Sequence, residues 1–158
     1  MSELNRKIAL VTGGGRGIGR AIALELAQAG CDVALLARTR TQVDEVATAI
    51  RALGRRGIAV AADAANTQQL QQALAEVQGT LGPIAILINN AAVVGPMGPT
   101  AEVDPDAWAQ AIAINLTGPF QFIHACLPSM LAQGWGVFSI FPAEPPPRLE
   151  CRVATRTL

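Results

Sequence analysis

The 158-residue chain contains no tyrosine, and Lys7 is its only lysine. A mechanism that needs a tyrosine–lysine pair is therefore excluded for this sequence. An excess of charge is missing too. Twelve basic and twelve acidic residues cancel, which removes the electrostatic footprint expected of a nucleic-acid binder or an anionic-membrane binder. The cysteines Cys31, Cys126 and Cys151 are odd in number, far apart and form no CxxC pair. Neither a disulfide framework nor a metal site is expected, and a reducing, cytoplasmic setting is. No apolar run approaches the roughly 18–20 residues of a membrane span, and the run Ile8–Val11 is too short for a signal peptide. Apolar residues, by contrast, are plentiful. Hydrophobic residues make up 51% and charged residues 15%, too apolar for a disordered chain and sufficient for one domain with a core.

Short apolar runs alternate with longer stretches of helical period. Lys7–Thr12, Asp32–Ala37, Gly57–Ala61, Ile84–Ile88 and Gly136–Phe141 read as strands by length and branching. Gly17–Ala29, Thr41–Leu53 and Thr67–Val77 read as helices, with Gly30, Gly54 and Gly79 beyond their ends and Thr67 as a candidate cap. A long helix begins at Pro105 and could reach Leu131, with Pro119 and Pro128 kinking or ending it. Continuously apolar strands alternating with helices predict an α/β, doubly wound parallel sheet with helices on both faces and right-handed crossovers. The rhythm breaks after Phe141. Residues 142–158 hold four of the ten prolines, three arginines and no glycine. The expected organisation is an incomplete nucleotide-binding domain over 1–141 and an irregular tail over 142–158.

Between the first strand and the first helix lies Thr12-Gly13-Gly14-Gly15-Arg16-Gly17-Ile18-Gly19. Glycines there permit a tight turn and close approach of backbone to a pyrophosphate. The helix N-terminus adds unpaired N–H groups and the positive end of its dipole. The second strand ends in Ala37-Arg38-Thr39. An acidic residue at that point would accept hydrogen bonds from a ribose 2′-hydroxyl. Arg38 instead suits a 2′-phosphate and Arg16 adds a second cation, which favours NADP(H) over NAD(H).

With glycines spaced GxxxGxG, this turn resembles the cofactor motif of the short-chain dehydrogenase/reductase family, whose fold is Rossmann-like. Asn89-Asn90-Ala91-Ala92, after the fourth strand, resembles the family's NNAG motif with Ala92 in place of glycine. The resemblance covers about residues 5–141. It implies that Gly13, Arg16, Gly17, Ile18 and Gly19 hold the pyrophosphate side of the cofactor and Arg38 the 2′-phosphate. Asp63 would meet the adenine, and Asn89 and Ala91 the ribose region. Asn89 also has a structural role in the family, holding neighbouring strands. Asn115 matches the helix asparagine that supports a proton-relay water, and Ser139 loosely matches the catalytic serine. Each position has a plainer reading as well: Asp63 caps a turn before Thr67, and Asn115 is a buried polar residue paired to backbone. His124, Trp108 and Trp135 read as packing residues, and Arg55-Arg56 as a solvated turn.

The family's chemistry moves a hydride between the nicotinamide and a small-molecule carbonyl or secondary alcohol. It needs a serine and then Tyr-x-x-x-Lys. The phenol, with pKa ~10, requires a neighbouring ammonium to work near neutrality. Here Arg152-Val153-Ala154-Thr155-Arg156 keeps the spacing with both functional residues replaced. An arginine cannot act as that acid or base. Two expectations fit this tail. The favoured one is a reading frame shifted near residues 136–142 in a GC-rich gene, in keeping with eleven arginines to one lysine. The other is a pseudoenzyme with a degenerate site. The resemblance implies an NADP(H)-dependent oxidoreductase, expected to be inactive in this truncated form. The alternatives are a nucleotide-binding pseudoenzyme fragment and a non-functional truncated product. Family members form homo-oligomers through the helix around Asn115 and the helix that should follow the fifth strand. An incomplete interface of that kind predicts an exposed apolar patch and poor solubility.

Overall fold

A computed structural model of the chain describes residues 3–141 and 149–152. Its elements run β1 (Ile8–Thr12), α1 (Gly17–Gln28), β2 (Asp32–Ala37), α2 (Arg40–Ala52), β3 (Gly57–Ala61), α3 (Thr67–Thr80) and β4 (Ile86–Asn89). They continue with α4 (Pro105–Ile112), a π-helical segment Ala113–Thr117, α5 (Gly118–Ala132), β5 (Val137–Ile140) and β6 (Leu149–Arg152). The sheet order is β3-β2-β1-β4-β5-β6. The first five strands are parallel, as the apolar runs predict.

Alternation along each strand sorts the core into two layers, because successive side chains leave a strand on opposite faces. Leu10, Ala34, Leu36, Val60 and Leu87 pack against Leu70, Leu74 and Val77 of α3 and Phe122, Cys126 and Met130 of α5. Ala9, Val11, Val33, Leu35 and Ile88 pack against Ala23 and Ala27 of α1 and Val43, Val46 and Ile50 of α2. The result is the three-layer, doubly wound Rossmann-like architecture. Cys31 and Cys126 are free and buried in opposite layers. Burial pushes the Cys126 thiol up to about 12.

The structure corrects several details. α3 runs through Gly79 to Thr80, and its N-cap is Asn66, whose side chain accepts from the Gln69 N–H at 3.0 Å. β4 starts at Ile86, although Ala85 already donates its N–H to the Ile8 carbonyl at 2.9 Å. The long helix is interrupted ahead of Pro119, where the Gly118 N–H bonds to the Ala113 carbonyl five residues back. Proline lacks an N–H and its ring crowds the carbonyl four residues before it, which for Pro119 is that of Asn115, so a wider turn there relieves both problems. Pro128 lies inside α5, which continues to Ala132. Within the tail expected to be irregular, Leu149–Arg152 pairs antiparallel with β5. Leu-Glu-Cys-Arg alternates apolar and polar residues, the period of a strand. Arg152 therefore sits in a strand and not on a helix, while Arg156 lies outside the described residues.

Arg55 and Arg56 do not form a solvated turn. Both close on the buried Asp32 at the amino end of β2, each at 2.7 Å. Burial pushes the Asp32 carboxyl up, but the Arg56 side-chain and backbone hydrogen bonds and the charges of both arginines outweigh it and hold the group low.

Candidate functional site

The carboxyl ends of β1, β2 and β4 open into a cleft of about 550 Å³, a size typical of small-molecule sites. One wall is the glycine turn. Gly13 and Gly17 have φ of +63° and +54°, left-handed values that favour glycine. A Cβ on Gly19 would stand 2.3 Å from the Gly13 carbonyl oxygen, so the first turn of α1 lies directly on the loop. Among the described residues no side chain caps α1 or α2, the helices that begin beside this cleft. Asn66 and Asp104 cap α3 and α4. The first turn of α1 thus retains backbone N–H groups without a side-chain partner, the feature that suits an anion.

Two guanidinium groups flank this turn. Arg16 precedes α1, Arg38 follows β2, and both line the cleft with exposed side chains. Neither forms an ion pair among the described residues. Asp63 lines the same cleft, its backbone N–H donates to Gln69 Oε1 at 2.8 Å, and its Oδ1 accepts from the Ala65 N–H at 2.9 Å. It therefore caps a local turn and borders the cleft at once. Gly13, Gly17, Ile18 and Ala91 also line the cleft; Gly19 sits behind it as a packing residue.

The far wall hangs on Thr12, which the sequence reading passed over. Its buried hydroxyl accepts from the Asn90 and Ala91 N–H groups at 3.0 and 2.9 Å and donates to the Ile88 carbonyl at 3.3 Å. Asn90 completes the lock, donating through Nδ2 to the Thr12 and Gly13 carbonyls at 3.1 and 3.3 Å. It is Asn90, not Asn89, that reaches the cleft. Asn89 points between strands, because β4 alternates its faces, and donates to the Ser139 carbonyl at 3.3 Å. Its Oδ1 is buried without a partner among the described residues. Asn89 thus ties β4 to β5 and lies outside the cleft lining.

Asn115 and Ser139 are outside the cleft lining. The Asn115 carboxamide binds one residue at both ends, accepting from the Val93 N–H at 2.9 Å and donating to the Val93 carbonyl at 2.8 Å. The side chain is paired to backbone. It fixes Val93, which does line the cleft with the neighbouring Ile114. Ser139 lies on β5 opposite Ile88, half-buried. His124 is exposed beside Phe120, with ring centroids 5.9 Å apart, and Trp108 is also exposed. Both correct their assignment to packing. Trp135 does pack, with Lys7 Nζ 4.2 Å from its ring centroid and its Nε1–H donating to Glu3 at 3.0 Å. Among the described residues no cluster of three metal-ligating side chains occurs. No described helix is long and apolar enough to cross a membrane.

The sequence matches the short chain dehydrogenase family over residues 7–138. The chain belongs to that family. It is 40% identical over 136 residues to an uncharacterized oxidoreductase of Mycobacterium tuberculosis (strain CDC 1551 / Oshkosh), covering 86% of this chain and 51% of that one. It is 33% identical over 135 residues to a cyclohexanol dehydrogenase of Acinetobacter sp. (strain SE19), covering 85% and 54%. The chain spans about half the length of the curated relatives it matches. Among solved structures, a 3-ketoacyl-ACP reductase from Sinorhizobium meliloti 1021 superposes with a TM-score of 0.81 at 38% identity, over 84% of this chain and 52% of that one. A metagenomic short-chain oxidoreductase in complex with NADP matches with a TM-score of 0.81 at 32% identity, over 86% and 62%. An NAD+-bound xylitol dehydrogenase matches with a TM-score of 0.79 at 31% identity, over 86% and 52%. Members of this short-chain family bind NAD or NADP.

Proposed function

We propose that this chain is the cofactor-binding part of an NADP(H)-dependent oxidoreductase acting on a small-molecule carbonyl or secondary alcohol, and that the chain itself binds cofactor without turning substrate over. The observation that carries the reading is the pair of unpaired guanidinium groups, Arg16 and Arg38, on a cleft whose two adjoining helices lack side-chain caps. The residues present fit the group. Gly13, Arg16, Gly17 and Ile18 would hold the pyrophosphate, Arg38 the 2′-phosphate, Asp63 the adenine and Ala91 the ribose side. Gly19 makes the close helix approach possible. When bound, the cofactor supplies or accepts the hydride. This chain's residues bind and orient it. Asn115 and Ser139 are the residues proposed to serve the reacting end, Asn115 by positioning Val93.

The absence of turnover follows from chemistry. The sequence has no tyrosine to move the proton, and its single lysine, Lys7, stacks on Trp135. Titration with NADPH, read by nicotinamide fluorescence, tests the binding; absorbance at the reduced-nicotinamide band with added cyclohexanone tests the turnover. Binding with no consumption supports the reading. Consumption of NADPH contradicts the inactivity, and no binding contradicts the whole. We also place the chain in a reducing cytoplasm, in keeping with the buried free thiols of Cys31 and Cys126. Trp108, Ile112, Leu116 and Phe120 recur every four residues along α4, the π segment and the start of α5, and all are exposed. We assign this stripe to contact between copies. Light scattering should find self-association that Phe120→Glu reduces.

A further inference from the structure

We infer that Gln42 is a specificity-determining residue for the cofactor: its carboxamide is a third group, beside Arg16 and Arg38, for the phosphate on the adenosine ribose. The inference rests on the NADP reading above and deepens it.

Gln42 is the third residue of α2 and lines the cleft together with Gly15, Arg16, Arg38 and Thr39. Its stem is fixed by the glycine turn. A Cβ on Gly15 would stand 2.8 Å from Gln42 Cβ and 3.4 Å from its Oε1, so loop and helix touch at this side chain. The motif therefore needs glycine at position 15 because Gln42 occupies the space. Gln42 is half-buried, yet its carboxamide has no hydrogen-bond partner among the described residues. Its neighbours on α2 are differently placed: Arg40 is held by Asp44 at 2.8 Å, and Arg51 donates to the Gly57 carbonyl at 2.7 Å. The amide opens to the cleft, so its Nε2 donor is free for a ligand there. A phosphate between Arg16 and Arg38 would accept from it. The amide suits that place because it donates a hydrogen bond without charge, whereas a carboxylate would repel a dianion and neutralise the arginines.

The test uses adenosine 2′,5′-bisphosphate and AMP, which differ only in the 2′-phosphate, titrated calorimetrically into the full chain. The wild type should favour the bisphosphate. Gln42→Met keeps the stem against Gly15 and removes the donor, and should weaken the bisphosphate about three- to tenfold with AMP unchanged. Gln42→Glu should weaken it by more than about tenfold, again selectively. Circular dichroism establishes that each variant is folded, and the Met variant decides the question if the Glu variant is not. An unchanged ratio, or equal weakening of both ligands, overturns the role of Gln42 while leaving the NADP reading intact. A wild type that binds both ligands equally overturns the NADP reading and this inference with it. Arg38→Ala separates the cases, since it must lower the same ratio if the recess is the 2′-phosphate site.

Discussion

At the carboxyl ends of β1 and β2, Arg16 and Arg38 line a cleft and form no ion pair among the described residues; at the amino ends of β2 and β3, Arg55 and Arg56 both clasp Asp32 at 2.7 Å. The two ends use one residue type in opposite ways. Arg56 also donates to the Leu81 carbonyl at 3.0 Å and Arg55 to the Cys31 carbonyl at 3.2 Å, so their guanidinium groups tie β2, β3 and the end of α3 together. Arginine satisfied by protein holds the fold. Arginine left unsatisfied beside helices without side-chain caps is positioned for a ligand. Sequence alone does not separate the two, because the partner of Arg55 and Arg56 lies more than twenty residues away.

The comparison breaks most visibly at Asp32. Asp32→Ala leaves two arginines without their carboxylate and should cost about 2–4 kcal/mol in urea unfolding, the range for breaking a largely buried pair with partly exposed partners. Cofactor affinity should remain unchanged in the folded fraction. A loss of affinity as large as the loss of stability would mean that the two ends are coupled. The same carboxyl has a pH signature. Its folded pKa is lowered, so its contribution is fully present above the ordinary value of about 3.9 and is lost as pH falls through the lower, folded value. Acid unfolding should therefore begin at higher pH in Asp32→Asn than in the wild type.

Next in size is the glycine turn. Gly19→Ala places a Cβ 2.3 Å from the Gly13 carbonyl oxygen. It should cost about 1–3 kcal/mol and abolish measurable NADPH binding, because loop and helix must separate. A normal urea midpoint with normal binding would show that the approach is not required. Arg38→Asp follows, with about 1.5–3 kcal/mol lost for NADPH, the worth of a hydrogen bond to a charged group, and NADH equal or tighter. The smallest effect belongs to Arg40→Ala. Arg40 is already engaged by Asp44 on the surface, so neither thermal unfolding nor NADPH titration should register a change. A clear drop in NADPH affinity would instead place Arg40 with Arg38.

The first two helices and first three strands were legible because short apolar runs end at Gly30, Gly54 or a polar turn. Misreadings arose where one physical signal carries two meanings. Ile84 is apolar because it is buried, not because it lies in a strand, and β4 starts at Ile86. Gly79 read as a stop, yet α3 passes through it. The motif points to Asn89, and strand alternation brings Asn90 to the cleft while Asn89 ties β4 to Ser139. Thr12 gave no signal of its own, since a buried hydroxyl shows its value only through the N–H groups it meets. Gln42 likewise gives no signal in the sequence, being on α2 and meeting the motif through Gly15.

The most direct measurement is paired calorimetric titration of the wild-type chain with NADPH and with NADH at low and at physiological salt. The account predicts one site per chain and a preference for NADPH of at least about tenfold at low salt, narrowing as salt screens Arg16 and Arg38. Equal affinities at both salt concentrations, or no binding of either, would contradict the claim that the unpaired arginines of this cleft await a 2′-phosphate.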